Sequence, residues 1–239
     1  MRFNGFALAL ALTGFLFLAS APPAQAVFEL VLADGAGNSI TLNSITGCTA
    51  VGATSGCGGG VIGGGFATYV GFIGTFVLNV TTGTSKPITI LPTLMDLNSI
   101  NIQANPAGGG MVITWSDTGW FAVPQFQMTA AADLTAPPGS SITYDAYYDA
   151  ANAVSATTTL IGTLGPFAPG AFLGTLSSGV APPGPPYSLT QKLTYVFTGS
   201  GISSGDYELV AIPEPATVAL LGGVLLLTCG ALRRRLRRS

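Results

Sequence analysis

Residues 99–115 read "SINIQANPAGGGMVITW". Two short alternating runs flank a breaker. In the first, Ile100 and Ile102 fall on one side; in the second, Met111, Ile113 and Trp115 do. Alternation at period two marks a half-buried strand. The intervening "ANPAGGG" continues neither run, because proline lacks a donor and glycine favours turns. The same pattern recurs along the chain. Phe28, Leu30 and Leu32 bracket Glu29, and "SITLN" places Ile40 and Leu42 together. "LTQKLTYVF" aligns Leu189, Leu193, Tyr195 and Phe197, and "YELVAI" sets Tyr207, Leu209 and Ala211 opposite Glu208. Breakers such as "ADGAGN", "TAPPGSS", "APPGPPY" and "GSGISSGD" separate the runs. No long helical period and no clear internal repeat occur between 27 and 212. The reading is all-β: an antiparallel sandwich or jelly-roll-like domain.

Composition agrees with a folded domain. The 239 residues are 48% hydrophobic and 8% charged, with 33 glycines, 16 prolines and no histidine. An average soluble domain is roughly 25% charged, so this chain is too apolar for a disordered polymer. Segment 27–212 carries two lysines against nine carboxylates, a formal charge of −7. Such a domain repels phosphate backbones, so no nucleic-acid partner is expected.

The two ends read differently. "MRFNGFALALALTGFLFLASAPPAQA" has a basic start, an apolar stretch and the small-x-small site Ala24-Gln25-Ala26. That is the form of a secretory signal peptide, 1–26, cut by signal peptidase after Ala26. At the other end Pro213-Glu214-Pro215 precedes an uncharged apolar run, Ala216 to Leu232. Its length is at the short end of what spans a bilayer as a helix. The run stops at Arg233, Arg234, Arg235, Arg237 and Arg238. Arginines so placed stay on the cytoplasmic side, leaving the domain outside. The expected topology is one transmembrane helix within a 213–239 tail. A tail that stays as a simple tether is the alternative.

The order Pro-Glu-Pro, apolar helix, arginine cluster, behind an export signal, resembles the PEP-CTERM sorting signal. The resemblance covers the tail alone. It implies a Gram-negative inner-membrane precursor processed by an exosortase-like membrane protease. It also implies release to the envelope or extracellular matrix, with a role linked to exopolysaccharide or biofilm. Pro213, Glu214 and Pro215 would be the recognition motif and the arginines the retention block.

Within the middle segment, Cys48 and Cys57 frame "CTAVGATSGC". In an exported protein, two cysteines so close in a Gly/Ser/Thr stretch predict a disulfide. With no histidine or further nearby cysteine they make no metal site. "GISSG", 201–205, matches a nucleophile pattern, but no histidine exists to serve as base. Its position between two runs predicts a hairpin turn. "GGGVIG", 58–63, matches a dinucleotide pattern without a helix to follow and reads as a flexible loop.

"SITYDAYYDAAN" puts Asp145, Tyr147 and Asp149 on one strand face and Ile142, Tyr144, Ala146 and Tyr148 on the other. A solvated face is the plain reading. A Ca²⁺ or sugar site is the sharper one, with Asp133 or Asp117 as further ligands. Trp115, Trp120, Phe121 and Phe126 are either core or a sugar-stacking surface. Three functions therefore stand: a non-enzymatic sorted envelope protein, an extracellular carbohydrate- or Ca²⁺-binding module, and a carboxylate-dependent hydrolase. The first is the main expectation; it needs no cofactor.

Overall fold

The structure is a computed structural model that describes residues 26–52, 56–86, 94–121, 125–180 and 184–212. Ala24, the 213–215 motif, the apolar run with its arginines, and Cys229 lie outside the described residues. No helix among the described residues is long and apolar enough to cross a membrane.

Fourteen strands among the described residues form two seven-stranded sheets, and every pairing is antiparallel. In chain order they are β1 (Phe28–Asp34), β2 (Ser39–Asn43), β3 (Gly47–Val51), β4 (Gly60–Gly63), β5 (Phe66–Ile73), β6 (Phe76–Thr84), β7 (Leu94–Ala104), β8 (Gly109–Trp120), β9 (Gln125–Thr135), β10 (Ser141–Asp149), β11 (Thr159–Phe167), β12 (Gly170–Ser178), β13 (Tyr187–Phe197) and β14 (Gly201–Ile212). The first sheet runs β11-β10-β13-β8-β1-β2-β3 and the second β12-β9-β14-β7-β6-β5-β4. The expected all-β sandwich is the fold.

The alternating runs did predict the core. Phe28, Leu30, Leu32, Ile40, Leu42, Ile100, Ile102, Met111, Ile113 and Trp115 are all buried. So are Leu189, Leu193, Tyr195, Phe197, Tyr207, Leu209 and Ala211. Each large apolar side chain moved from water contributes about 1.5–3 kcal/mol. Phe28 leans on Trp115 with ring centroids 5.5 Å apart, and Tyr144 meets Tyr207 edge-on at the same separation. The "ANPAGGG" breaker does more than reverse the chain. It carries it from β7 in the second sheet to β8 in the first.

One buried polar network crosses the interior. The Gln191 amide nitrogen donates to the Tyr144 hydroxyl (2.8 Å) and to the carbonyls of Met95 and Tyr207 (both 3.3 Å). Tyr144 donates in turn to the Glu208 carbonyl, 3.0 Å away. These bonds tie β13 and β10 of one sheet to β7 and β14 of the other. Burial pushes the Tyr144 and Tyr195 hydroxyls well above the ordinary phenol range and Tyr207 up to about 12.

Two local expectations are corrected. "GISSG" is the start of β14, and the bend before it falls at Thr198–Ser200. The preceding strand, β13, belongs to the other sheet, so the segment is no hairpin. Gly201, Ser203 and Gly205 point into the sandwich, and Ser203 donates to the Asp133 carbonyl at 3.0 Å. A Cβ on Gly205 would fall 2.4 Å from that of Ala132 on β9, so close strand packing accounts for the glycine. "GGGVIG" is a short 3₁₀ turn, Cys57–Gly59, followed by β4 rather than a loop. After β4, "FATYVGFIGTFVL" forms β5 and the start of β6, joined at Gly74-Thr75.

Cys48 and Cys57 form the expected disulfide, with Cα atoms 5.8 Å apart. Cys48 lies on β3, the edge of the first sheet. Cys57 leads into β4, the edge of the second. The bond therefore staples the crossover between sheets.

Candidate functional site

The first sheet's outer face carries the β10 residues singled out by sequence. Asp145, Tyr147 and Asp149 do share its outward side. Asp145 accepts from the Thr163 hydroxyl at 2.6 Å and pairs across strands with Lys192 and Thr163. Asp149 is buried, because the 150–158 loop folds over it. One carboxylate oxygen accepts from the Thr158 hydroxyl (2.7 Å) and the other from the Ala153 N–H (3.0 Å). Both oxygens are thus used in shaping the loop. Four residues along an extended strand separate Asp145 and Asp149 by about 13 Å. Paired glycosidase carboxyls stand about 5–9.5 Å apart.

Neither further carboxylate joins them. Asp133 lies on β9, in the opposite sheet. Asp117 is fully buried and bonded to Lys86 Nζ at 2.9 Å and to the Ser85 hydroxyl at 2.6 Å. Lys86 also donates to the Thr118 carbonyl and sits 4.5 Å above the Trp120 ring. Burial pushes the Asp117 carboxyl up and the Lys86 ammonium down, each outweighing the attraction of the other. No cluster of three or more His, Cys, Asp or Glu suited to a metal occurs among the described residues. Trp115, Trp120 and Phe126 are core, while Phe121 is exposed.

A concavity lies on the other side of the molecule. A groove of about 390 Å³ crosses the outer face of the second sheet. It is lined by Val77 and Asn79 of β6, Asn101 and Gln103 of β7, Ile202 and Ser204 of β14, and Asp133 of β9. Register builds it in two rows. Phe72, Val77, Gln103, Ile202 and Thr135 are successive neighbours across five strands. Beside them run Asn101, Ser204 and Asp133. Cross-strand neighbours of this kind stand about 5 Å apart. A register shift in β6 at Asn79 brings that amide to the groove. A second, shallower hollow continues past Gln103 and Ile202 to Thr135 and Ser200.

The lining combines apolar and neutral polar groups with one carboxylate, Asp133. Ile202 is 55% exposed and Phe72, at the end of the row, 64%. Among the described residues, the side chains of Asn79, Gln103 and Ser204 make no hydrogen bond to another part of the protein. Asn101 donates to the Ser99 carbonyl at 3.0 Å, and Asp133 accepts from Thr135 at 3.1 Å. The second sheet's strands carry no lysine or arginine.

Further along the same face Asp96 and Glu208 are direct cross-strand neighbours, with Asp206 close by. Burial, with smaller contributions from Glu208 and Asp206, pushes the Asp96 carboxyl above its ordinary value of 3.8 against the Asn98 hydrogen bond. An acid whose folded value is raised stabilises the fold below its unfolded value. That contribution is lost as pH rises through the folded one. Acidifying from neutral pH toward the unfolded carboxylate value of about 4 should therefore raise the melting temperature, with Asp117 acting in the same sense. Asp96→Asn should flatten the slope. A melting temperature that falls over this window would contradict the assignment.

Sequence reading missed the groove. Its β7 half was visible, since Asn101 and Gln103 are the polar positions of "SINIQA". Its β14 half was hidden by assigning "GISSGD" to a turn.

No protein-family model and no curated protein matches this chain. Solved structures give partial likenesses. One is described as a carbohydrate-binding module of the β-sandwich superfamily: 12% identity, 77% of this chain, 84% of that one, TM-score 0.34. TmCBM61 in complex with β-1,4-galactotriose has 4% identity over 57% of this chain and 88% of that one, TM-score 0.35. A Stig cyclase from Fischerella sp. TAU has 12% identity over 64% and 90%, TM-score 0.32.

Proposed function

We propose that this is an exported, non-catalytic β-sandwich that holds a neutral glycan chain in the groove of its second sheet. The carrying observation is the lining, Asn79, Asn101, Gln103 and Ser204 beside Val77 and Ile202, with exposed Phe72 next to Val77 at the end of the row. Side-chain amides offer a donor and an acceptor together, which suits adjacent sugar hydroxyls. Exposed apolar side chains suit the C–H faces of sugar rings. A face with carboxylates and no cation disfavours phosphate or uronate ligands. The open groove suits a long polymer better than a small enclosed ligand.

The delivery route is part of the proposal. A cleaved leader, 1–26, exports the chain, and the 213–239 tail holds the precursor in the inner membrane. An exosortase-like protease acting at Pro213-Glu214-Pro215 then passes the domain to the envelope or extracellular matrix. There it would meet exopolysaccharide, the ligand class that the groove chemistry suits. The staple between Cys48 and Cys57 fits an oxidising compartment.

Calorimetric titration of the purified protein with neutral gluco- and galacto-oligosaccharides tests the groove. Binding to a neutral glycan and not to polygalacturonate is expected, unaffected by a Ca²⁺ chelator. Gln103→Ala and Asn101→Ala should each weaken it by about tenfold, the scale of one lost hydrogen bond of roughly 1–1.5 kcal/mol. No heat with any neutral glycan, or full binding in the double variant, would overturn the reading.

A further inference from the structure

The sandwich guards its edges unequally. On one side the sheets end in β3, of five residues, and β4, of four, with the disulfide stapling the crossover between them. On the other side they end in β11 and β12, of nine residues each. Strand β11 is broken by two register shifts against β10 and contains Pro166. Strand β12 has none of these devices. It stays in unbroken register with β9, from Gly170 opposite Leu134 to Ser178 opposite Phe126. It holds no proline and no charge, and Leu173 is 74% exposed on it. The sequence from Ala150 through Gln191 contains no charged residue at all.

Natural sheets protect their edges by shortness, bulges, proline or lysine. Three edges here follow that rule and β12 does not. Among the described residues no strand lies beyond it. Its outer row of N–H and C=O groups is complemented by another extended strand.

We propose that β12 is the surface through which two copies of this chain associate, strand against strand and antiparallel about a two-fold axis. A strand paired with itself in this way is self-complementary, as a two-fold interface requires. Charge permits the same pairing: each domain carries −7, and β12 holds no charged residue to set against its copy. Because the other edges are short, bulged or stapled, pairing stops at two copies. The two second sheets join into one continuous sheet. Their grooves then open on the same side, which lets one polymer engage both.

The test uses the full chain in non-ionic detergent, with mass measured by light scattering across a dilution series, for the wild type, Leu173→Lys and Leu173→Glu. Leu173 is exposed, so both variants should melt as the wild type does. The wild type should shift from one copy to two as concentration rises, with β12 amides gaining protection from hydrogen exchange in step. Each variant should weaken association about tenfold or more, because like charges are set side by side. A wild type that stays single at the highest concentration would overturn the proposal. So would variants that pair as well as the wild type, since the contact would then lie in the tail or on another surface.

Discussion

Asp117→Ala should destabilise the protein by about 3–5 kcal/mol, the largest effect expected of any single polar replacement here. The cause is what remains behind. Lys86 would stay over Trp120 and against the Thr118 carbonyl, largely desolvated, with its counter-charge removed. For a domain of this size that corresponds to a melting temperature lower by about 10 °C. Replacing both partners, Lys86→Met with Asp117→Leu, should recover most of the loss, because two ions no longer have to be taken out of water. Thermal melts of the two single variants and the double one give the coupling directly. A single variant within about 1 kcal/mol of wild type would show that water reaches the pair.

Removing the disulfide should come next, at about 2–3 kcal/mol and a melting temperature about 5–10 °C lower. The ring between Cys48 and Cys57 is small, but it joins an edge of one sheet to an edge of the other. Without it the crossover is free in the unfolded chain, whose entropy rises accordingly. Cys48→Ala with Cys57→Ala, melted beside the wild type with and without reductant, isolates the effect. The double variant should melt where the reduced wild type melts. Glycan affinity should hardly change, since the groove lies on β6, β7, β14 and β9, away from the staple. An unchanged melting temperature on reduction would mean that the crossover is fixed by other contacts.

Sequence and structure agree where side-chain period and burial are the same fact. The runs around Leu30, Ile100, Ile113, Tyr195 and Leu209 point their alternate residues into the core as read. Agreement fails where glycine and threonine blur the period. Strands β11 and β12, and β3 and β4, have too few large apolar side chains to announce themselves. "GISSGD" failed for a related reason: Gly201 and Gly205 look like turn residues, but they are there for close packing against β9. Asp149 follows the expected parity and is nevertheless covered, because the fate of a strand's last residue depends on the loop after it. The groove needed information that one strand does not hold. Gln103 and Ile202 become neighbours only through the register between β7 and β14.

Strand order also bears on how quickly the native state is reached. Phe28 lies opposite Asp117, so the first strand has its inner partner only after most of another sheet has been made. Strand β14 is the last of the described strands, yet it is seated between β9 and β7 in the middle of its sheet. Loops this long must close before their contacts give any return, and topologies of this kind fold on millisecond-to-second scales. A chain that collapses slowly remains threadable, which is the condition a translocation pore imposes on its cargo.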